Sequence, residues 1–378
     1  MVSELKMIKI LFLIHDLGQG GAEKVLINLV NNMDRSKFDI SVTVLFGGGV
    51  NEQFLKPDIH FRAVFSHMVP GNSKLMKLLS PEQLHRLCVK EKYDIEVSYL
   101  EGPSARVISG CQEPDTKRIC WIHSTMASAE EAAVPFRNVA EARRCYGRFH
   151  RIVGVSRTLM EAFHKAFPEN TNTTVLYNTV DAEKILELAR KDVPADLFNE
   201  KETALIATGT LKPVKAFDRL IRIHSRLRNE GYPVHTYVLG KGPEKENLTR
   251  LTDSLECADT VSFLGYDVNP YRYLARSQLF VCSSFSEGFS TAATEALIVG
   301  TPVCTVEVSG MKEMLGEHNE YGLITENSEE ALYQGIKSLL DDPELMAHYK
   351  KQAELRGRDF STQTTTAAVE TELVNISI

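Results

Sequence analysis

The sequence of 378 residues has no long apolar segment. No stretch approaches the ~18 consecutive apolar residues that indicate a membrane-spanning helix. The apolar run near the start, residues 10–14, is too short for the hydrophobic core of a signal peptide. We therefore expect a protein that is not integral to a membrane.

An excess of positive charge is also absent: 43 Lys and Arg stand against 50 Asp and Glu, for a net charge of −7. That balance argues against a nucleic-acid partner, which usually meets a basic surface. The seven cysteines are odd in number, scattered and without a Cys-x-x-Cys pair. A disulfide framework or a zinc site is therefore not expected, and the pattern fits a reducing cytoplasm. No Asp-x-Asp pair, a common metal motif, occurs either. We expect neither a metal nor a cofactor.

The sequence does contain a repeated alternation of apolar runs and helical patterns. Ile8–Ile14 is a continuous apolar run typical of a buried parallel strand, and a glycine loop and a helical pattern follow it. Such alternation predicts a doubly wound α/β domain. Further strands are predicted at residues 40–45, 95–100, 118–122, 152–155 and 174–176.

The alternation restarts after a polar stretch, residues 182–201, which we interpret as a connection. Strands are then predicted at residues 204–207, 235–239, 260–264, 279–283, 302–306 and 322–325, and helices at 217–229, 291–299 and 330–341. The sequence thus predicts two α/β domains, residues 1–181 and 182–356. We expect the tail, about residues 357–378, to pack back on the first domain.

The strongest motif lies in residues 284–296, where a predicted strand ends and a helix begins. Glu287 falls in the loop and Glu295 in the helix, and the backbone amides between them lie at the helix start. Such amides form a favourable site for phosphate oxygens. Spacing alone fits a capped helix with two solvated glutamates equally well. The apolar continuation of the helix favours a functional placement of Glu295.

The same region resembles glycosyltransferase family 4, the group 1 glycosyltransferases. The family's E-x7-E motif, followed by E-A-x-x-x-G-x-P-V, matches Glu287, Glu295, Ala296, Gly300, Pro302 and Val303. The next family block matches residues 309–313. This resemblance implies the GT-B fold, in which two Rossmann-like doubly wound parallel-sheet domains face a central cleft.

Blocks in the first domain resemble the same family. Residues 20–24, with Gly20 and Gly21, match its glycine loop near the donor. A dinucleotide fingerprint competes there, but Glu23 stands where that pattern requires Gly or Ala. Residues 121–124 match W-x-H-S, which gives His123 a role that a lone histidine would not have. Asn178 lies at the expected hinge.

The second domain resembles the family with two departures. Residues 209–220 match G-R-L-x-x-x-K-G-F-D-x-L, with Lys215 as the lysine that neutralises the donor diphosphate. Thr210 replaces the usual arginine and Ala216 the usual glycine, and Lys212 is a candidate to replace the arginine. Residues 239–244, with Gly240, match the family's L-G-x-G-P-E turn. Residues 261–266, with Leu264, match the V-x-F-L-G segment, whose backbone usually holds the nucleobase.

The resemblance implies a retaining, metal-independent transfer of a sugar from a nucleoside diphosphate to a glycan or lipid-linked acceptor, in cell-surface polysaccharide or glycoconjugate synthesis. Catalytic roles fall to His123, near the reacting carbon, Lys215, and Glu287, at the sugar hydroxyls. Glu295 would bind the ribose. The remaining donor-binding candidates are Gly20, Gly21, Lys212, Gly240, Leu264, Gly288, Phe289, Ser290 and Thr291.

Two basic stretches bear on the nature of the acceptor and on where the protein lies in the cell. Arg143, Arg144, Arg148 and Arg151 crowd one segment, and Lys74 and Lys77 flank leucines in another. Each is either a solvated helix face or a weak contact with anionic lipid. We expect a cytoplasmic protein at the inner face of the membrane.

Two alternatives to an active transferase stay open at this point. One is a catalytically silent GT-B binding protein, which the missing arginine favours. The other is a nicotinamide-dependent oxidoreductase, which the broken fingerprint disfavours.

Overall fold

The computed structural model describes residues 7–69, 71–126 and 128–377 and divides into two compact units. The first unit comprises residues 1–179 and 362–378, and the second comprises residues 180–361. The observed division after Thr179 lies two residues before the predicted one. The second unit ends at Ser361 rather than at residue 356.

The first unit is built on a seven-stranded parallel sheet in the order β3-β2-β1-β4-β5-β6-β7. Its strands are β1 (Ile8–Ile14), β2 (Phe38–Phe46), β3 (His60–Phe65), β4 (Ile95–Ser98), β5 (Lys117–Ile122), β6 (Arg151–Gly154) and β7 (Thr173–Val175). Its helices up to residue 166 are α1 (Gly21–Asn32), α2 (Asn72–Leu78), α3 (Pro81–Cys88), α4 (Pro103–Ile108), α5 (Ala129–Ala132), α6 (Val139–Tyr146) and α7 (Arg157–Ala166), with a 3-10 turn at Glu52–Phe54.

Strand β3 was not predicted, and its position in the sheet explains why. It pairs only with β2 in the described sheet, so it forms an edge. None of its six residues is fully buried. Without a buried face, the strand lacks the apolar run by which β1 was recognised.

The second unit is built on a six-stranded parallel sheet in the order β10-β9-β8-β11-β12-β13. Its strands are β8 (Thr203–Thr208), β9 (Val234–Leu239), β10 (Val261–Gly265), β11 (Leu279–Cys282), β12 (Val303–Val306) and β13 (Leu323–Thr325). Its helices are α8 (Ala182–Ala189), α9 (Phe217–Asn229), α10 (Lys245–Ser254), α11 (Tyr271–Leu274), α12 (Thr291–Ile298), α13 (Met311–Leu315), α14 (Glu329–Asp341) and α15 (Pro343–Gly357), with a 3-10 turn at Pro213–Lys215.

The interpretation of residues 182–201 as a connection was wrong for its first half. Helix α8 occupies Ala182–Ala189, and Asp181 caps it by accepting a hydrogen bond from the Lys184 amide. The helix buries only Ile185 and Ala189. Three of its eight residues are charged, and the polar stretch that follows it hid the helical pattern.

The last helix of the described chain, α16 (Thr362–Ser377), belongs to the first unit. Glu370 Oε1 accepts a 2.6 Å hydrogen bond from the Asp34 amide, and Arg151 Nε at the start of β6 donates to Glu372 at 2.6 Å. The tail therefore packs on the first unit. Among the described helices, none is long and apolar enough to cross a bilayer.

Candidate active site

An ion pair lies in a small pocket at the carboxyl ends of β8 and β11. Lys215 Nζ donates to both carboxylate oxygens of Glu287, at 2.7 and 2.8 Å. Ser284 Oγ donates to Glu287 Oε1 at 2.6 Å. The pocket is also lined by Thr208 and Ser290. Two of the predicted catalytic residues thus meet at the switch point of an open α/β sheet, where such sheets bind ligands.

Backbone contacts hold the two loops together around that pair. Ser283 Oγ donates to the Lys215 carbonyl at 3.0 Å, and the Phe285 amide donates to the Val214 carbonyl at 2.8 Å. Arg219 is 5 % exposed, and its guanidinium donates to the Ser283 carbonyl at 3.3 Å. Arg219 therefore supports the loop that carries Glu287. Sequence analysis missed it because an arginine on a helix normally indicates a solvated position.

Helix α12 begins directly beside this loop. Ser290 caps it by accepting a hydrogen bond from the Ala293 amide at 3.3 Å. Glu295 within the helix is 5 % exposed, so the interpretation as two solvated glutamates does not describe it. Phe289 is buried as well, while Thr291, the first helical residue, is half-buried. The amides at the start of α12 remain our candidates for holding phosphate oxygens.

Glycines at two loops allow the backbone to come close to this region. A Cβ on Gly240 would lie 1.8 Å from the Gly209 carbonyl oxygen, and Gly240 has a φ of 143°. A Cβ on Gly310, at a φ of 79°, would lie 2.8 Å from the Phe289 ring. The loop after β9 therefore packs on the loop after β8, and the start of α13 packs on the start of α12.

The two departures from the family pattern have different structural outcomes. Ala216 adopts the left-handed conformation, with φ 48° and ψ 43°, at the start of α9. The backbone thus keeps the shape that glycine favours, at a cost to alanine. Lys212 is exposed, whereas Lys215 lines the pocket. Thr210 is half-buried, and Leu264 lies half-buried in β10.

In the first unit, the glycine loop follows β1 and leads into α1. Asp16 Oδ1 accepts a 2.7 Å hydrogen bond from the Gly18 amide, and the Asn51 side-chain amide donates to the Gly18 carbonyl. Gly20 is the residue before α1, and Gly21 is its first residue. Asp16 and Asn51 hold this loop, although no family motif pointed to them.

His123 directly follows β5 and is half-buried. Burial lowers its pKa to about 3, so the imidazole is neutral at physiological pH. Its Nε2 is buried and makes no hydrogen bond to the described residues. The ring lies 5.0 Å from that of Tyr99, and the His123 amide donates to Glu101 Oε2 at 2.8 Å. Burial raises the pKa of Glu101, and the His123 amide partly opposes this effect.

Glu101 was missed by sequence analysis because a single acidic residue after a strand carries no motif. Its contact to the His123 amide emerges only once β4 and β5 lie side by side. The structure thus places one group of predicted residues in the second unit and another, His123 with Gly20 and Gly21, in the first.

Comparison with known families covers both units. The model described as "Glycosyl transferases group 1" matches residues 189–356, and "Glycosyltransferase Family 4" matches residues 19–184. The chain belongs to the group 1 glycosyltransferases. This assignment confirms the resemblance found in the sequence. The alternative of a nicotinamide-dependent oxidoreductase is therefore wrong.

Several relatives match over nearly the full length. An N-acetylgalactosamine-N,N'-diacetylbacillosaminyl-diphospho-undecaprenol 4-alpha-N-acetylgalactosaminyltransferase of Campylobacter jejuni is 28% identical over 92% of this chain and 94% of its own. An uncharacterized glycosyltransferase of Haemophilus influenzae is 25% identical over 94% of this chain and 97% of its own. Both relatives are named as glycosyltransferases, in agreement with the family of this chain.

Solved structures confirm the fold. Anabaena HepE in complex with UDP and glucose superimposes with a TM-score of 0.76 at 19% identity, covering 97% of this chain and 100% of its own. WaaG, a glycosyltransferase involved in lipopolysaccharide biosynthesis, gives a TM-score of 0.75 at 14% identity, covering 95% and 98%. The two parallel-sheet units are those of the GT-B fold, as predicted.

Proposed function

We propose that this glycosyltransferase moves a sugar from a uridine diphosphate sugar to a lipid-linked acceptor, with retention at the anomeric carbon and without a metal. The observation that carries the proposal is the Lys215–Glu287 pair beside the start of α12. One group brings the positive charge that a diphosphate needs, and the other offers carboxylate oxygens to sugar hydroxyls. The HepE complex with UDP and glucose supports this choice of donor.

Catalysis then consists mainly of stabilising the leaving group. As the bond between the anomeric carbon and the phosphate oxygen breaks, negative charge grows on the diphosphate. Lys215 and the amides at the start of α12 stabilise that charge. The acceptor hydroxyl attacks from the side that the phosphate leaves, and its proton passes to the departing phosphate oxygen. This order retains the configuration at the carbon.

The other predicted residues bind rather than react. Glu295 accepts hydrogen bonds from the ribose, and Glu287 from the sugar. His123 contacts the sugar near the reacting carbon. Its ring does so uncharged, because burial lowers its pKa to about 3. We propose these roles from placement: the two glutamates flank the start of α12, and His123 follows β5.

The decisive experiment measures nucleotide release from a panel of UDP- and GDP-sugars, with and without EDTA. We expect release from a UDP-sugar, undiminished by the chelator, and an α-linked product from an α-linked donor by NMR. Lys215→Met, which keeps the stem of the side chain, should abolish release. A parent protein inactive on every donor would instead indicate a silent binding protein, and loss of activity in EDTA that is restored by a divalent ion would contradict the metal-free reaction.

The proposal of a lipid-linked acceptor rests on the Campylobacter relative, whose name specifies an undecaprenol-linked substrate. The structure offers a matching surface on α2. Leu75 is 54% exposed and Leu78 is 75% exposed, and Lys74 is exposed beside them. Exposed leucines beside lysines suit the surface of an anionic membrane.

A buried arginine fixes the carboxyl-terminal end of helix α2 through hydrogen bonds to its backbone. Arg106, which is 1% exposed, donates to the carbonyls of Met76 and Leu79, both at 2.6 Å. Its remaining contacts go to Glu141, at 3.0 and 3.1 Å. Arg137 donates to the Leu78 carbonyl at 2.9 Å. A firmly held helix can present leucines to a membrane without a large ordering cost.

The other basic stretch is less available for lipid than its sequence suggests. Arg143 pairs with Glu169 at 2.7 Å, Arg148 with Glu82 at 2.9 Å, and Arg151 with Glu372 at 2.6 Å. These carboxylates neutralise much of the charge that the sequence concentrates there. We therefore transfer the proposed membrane contact from the Arg143–Arg151 segment to α2.

Flotation with anionic and zwitterionic vesicles separates these surfaces. Leu75→Ser with Leu78→Ser should abolish binding to anionic vesicles, because each buried leucine contributes about 1.5–3 kcal/mol. The control Leu87→Ser removes an exposed leucine elsewhere and should bind normally. Equal binding by all three proteins would exclude α2 as the contact.

A further inference from the structure

A half-buried histidine, a buried glutamate and a buried cysteine converge in the first unit, and none of them is assigned to the donor. His85 Nε2 lies 2.8 Å from Glu96 Oε2, and Cys111 Sγ lies 3.7 Å from Glu96 Oε1. One potential ligand atom from each residue lies within 4.8 Å of those of the other two. In the described part of the chain, no other cluster of three such residues meets this spacing.

The fold brings these residues together from three elements. His85 lies on α3, Glu96 in the middle of β4, and Cys111 shortly after α4. Gly110 allows the close approach, because a Cβ there would lie 1.9 Å from the Pro81 carbonyl oxygen at the start of α3. Only glycine can therefore precede Cys111 with α3 in this position.

The position of Glu96 requires an explanation. It is 1% exposed and lies in a strand at the centre of the sheet, between β1 and β5. A buried carboxylate is costly unless it is paired or bound to a metal. Its side-chain partners are His85 and Cys111. Imidazole, thiolate and carboxylate are together the ligand types that zinc takes in proteins.

We propose that His85, Glu96 and Cys111 form a binding site for a zinc-like divalent cation that ties α3, β4 and the end of α4 together. Ligand atoms around tetrahedral zinc lie roughly 3.3–3.7 Å apart. Cys111 Sγ and Glu96 Oε1 already have that spacing, whereas His85 Nε2 contacts the other oxygen of the same carboxylate at 2.8 Å and has to move away from it to bind the cation. Binding releases the thiol proton, and the imidazole proton where the ring is protonated.

The site lies outside the reach of the sequence rules that excluded zinc. Those rules depend on closely spaced cysteines. Here the ligands stand 11 and 15 residues apart on separate elements. None of the three residues is assigned to the donor, and cobalt binding is measured without a donor, so the test of this site does not depend on the proposed function.

The test uses full-length protein without a histidine tag, stripped of metal and titrated with Co²⁺. We expect one equivalent to bind per chain and to give the near-ultraviolet charge-transfer band of a cobalt–thiolate bond. Zinc should displace the cobalt. At about a hundredfold excess over its dissociation constant, zinc should raise the Tm by roughly 5–10 °C.

Two cysteine variants make the assignment specific. Cys111→Ser should lose the band, whereas Cys88→Ser should keep it, since Cys88 is equally buried on α3 but lies outside the cluster. His85→Gln supplies a second variant that leaves every thiol in place, and it should lose tight binding. A parent protein that binds no cobalt, or a band that survives in Cys111→Ser, would overturn the proposal and leave a buried His85–Glu96 ion pair.

Discussion

Lys215 and Glu287 bind each other through both oxygens of the carboxylate, across two loops that are 72 residues apart in sequence. The pair is partly shielded, with the glutamate side chain 10% exposed and the lysine side chain 28% exposed. A donor diphosphate therefore has to compete with Glu287 for the ammonium group. This competition gives the two residues opposite effects on the binding of nucleotide alone.

We predict that Glu287→Gln binds UDP more tightly, by several-fold, while its turnover falls tenfold or more. The amide removes the competing charge but also the acceptor for sugar hydroxyls. Lys215→Ala should weaken UDP binding about 10- to 100-fold, the size of one lost charge-assisted contact. Calorimetry with UDP and steady-state kinetics measure both effects. Weaker UDP binding by Glu287→Gln would show that the pair does not compete with the nucleotide.

The missing arginine gives a second prediction. If Lys212 replaces it, Lys212→Ala should raise the donor KM about tenfold. Thr210→Arg should restore binding in that background, because a guanidinium binds phosphate through two donors. Lys201→Ala, an exposed lysine before β8, is the matched control. An unchanged KM in Lys212→Ala would show that the arginine is not replaced by this residue.

The left-handed backbone at Ala216 predicts a gain in stability on substitution. Ala216→Gly should raise the free energy of unfolding by about 0.5–1 kcal/mol, since the relief of a left-handed alanine exceeds the entropic cost of glycine. Ala207→Gly, in buried β8, should instead lower it. Urea midpoints of the two variants measure the difference. A loss of stability in Ala216→Gly would mean that the conformation carries no strain.

A buried histidine in the second unit predicts how stability depends on pH. His224 is 0% exposed, and its ring nitrogens contact the hydroxyls of Thr236 and Thr260 at 2.9 and 2.8 Å. Burial lowers its pKa to about 3, and the nearby charges of His235 and Arg228 act in the same direction. The folded unit thus holds this ring neutral, whereas the unfolded chain protonates it near pH 6.5.

The direction of the pH dependence follows from this difference between the folded and unfolded pKa values. His224 should have no effect on the pH dependence above about pH 7, and stability should fall as the pH drops below 6.5. The slope due to this residue is about 1.4 kcal/mol per pH unit. Urea unfolding at pH 7, 6 and 5 measures it, with His224→Gln as the variant that should flatten the profile. An equally steep fall in that variant would assign the loss to other groups.

Sequence reasoning succeeded where one element carries its own signal. Helix α9 was predicted at its observed bounds, because its apolar positions recur at helical spacing. Glu287 and Glu295 were placed correctly in a loop and a helix, because the apolar strand before Glu287 and the apolar helix around Glu295 each carry a signal of their own. The family motifs, rather than any spacing, supplied His123 and Lys215.

Features that depend on two elements could not be predicted in this way. The Lys215–Glu287 pair forms only when two distant loops meet, and the support from Glu101 to His123 requires adjacent strands. The charge of Arg143, Arg148 and Arg151 is neutralised by partners from elsewhere in the chain. The local sequence gives the type of a residue and the spacing of apolar positions around it. It does not give the partner that the residue contacts in the folded chain.

Helix α16 has a consequence for how the chain matures. The polypeptide leaves the first unit after Thr179 and returns to it at Thr362. During synthesis, the first unit therefore waits for a helix that emerges only after the whole second unit has been made. Until then, the amide of Asp34 and the guanidinium of Arg151 lack the carboxylates that they contact in the finished protein. Although domains generally fold from the amino-terminal end, here the unit that starts first is completed last.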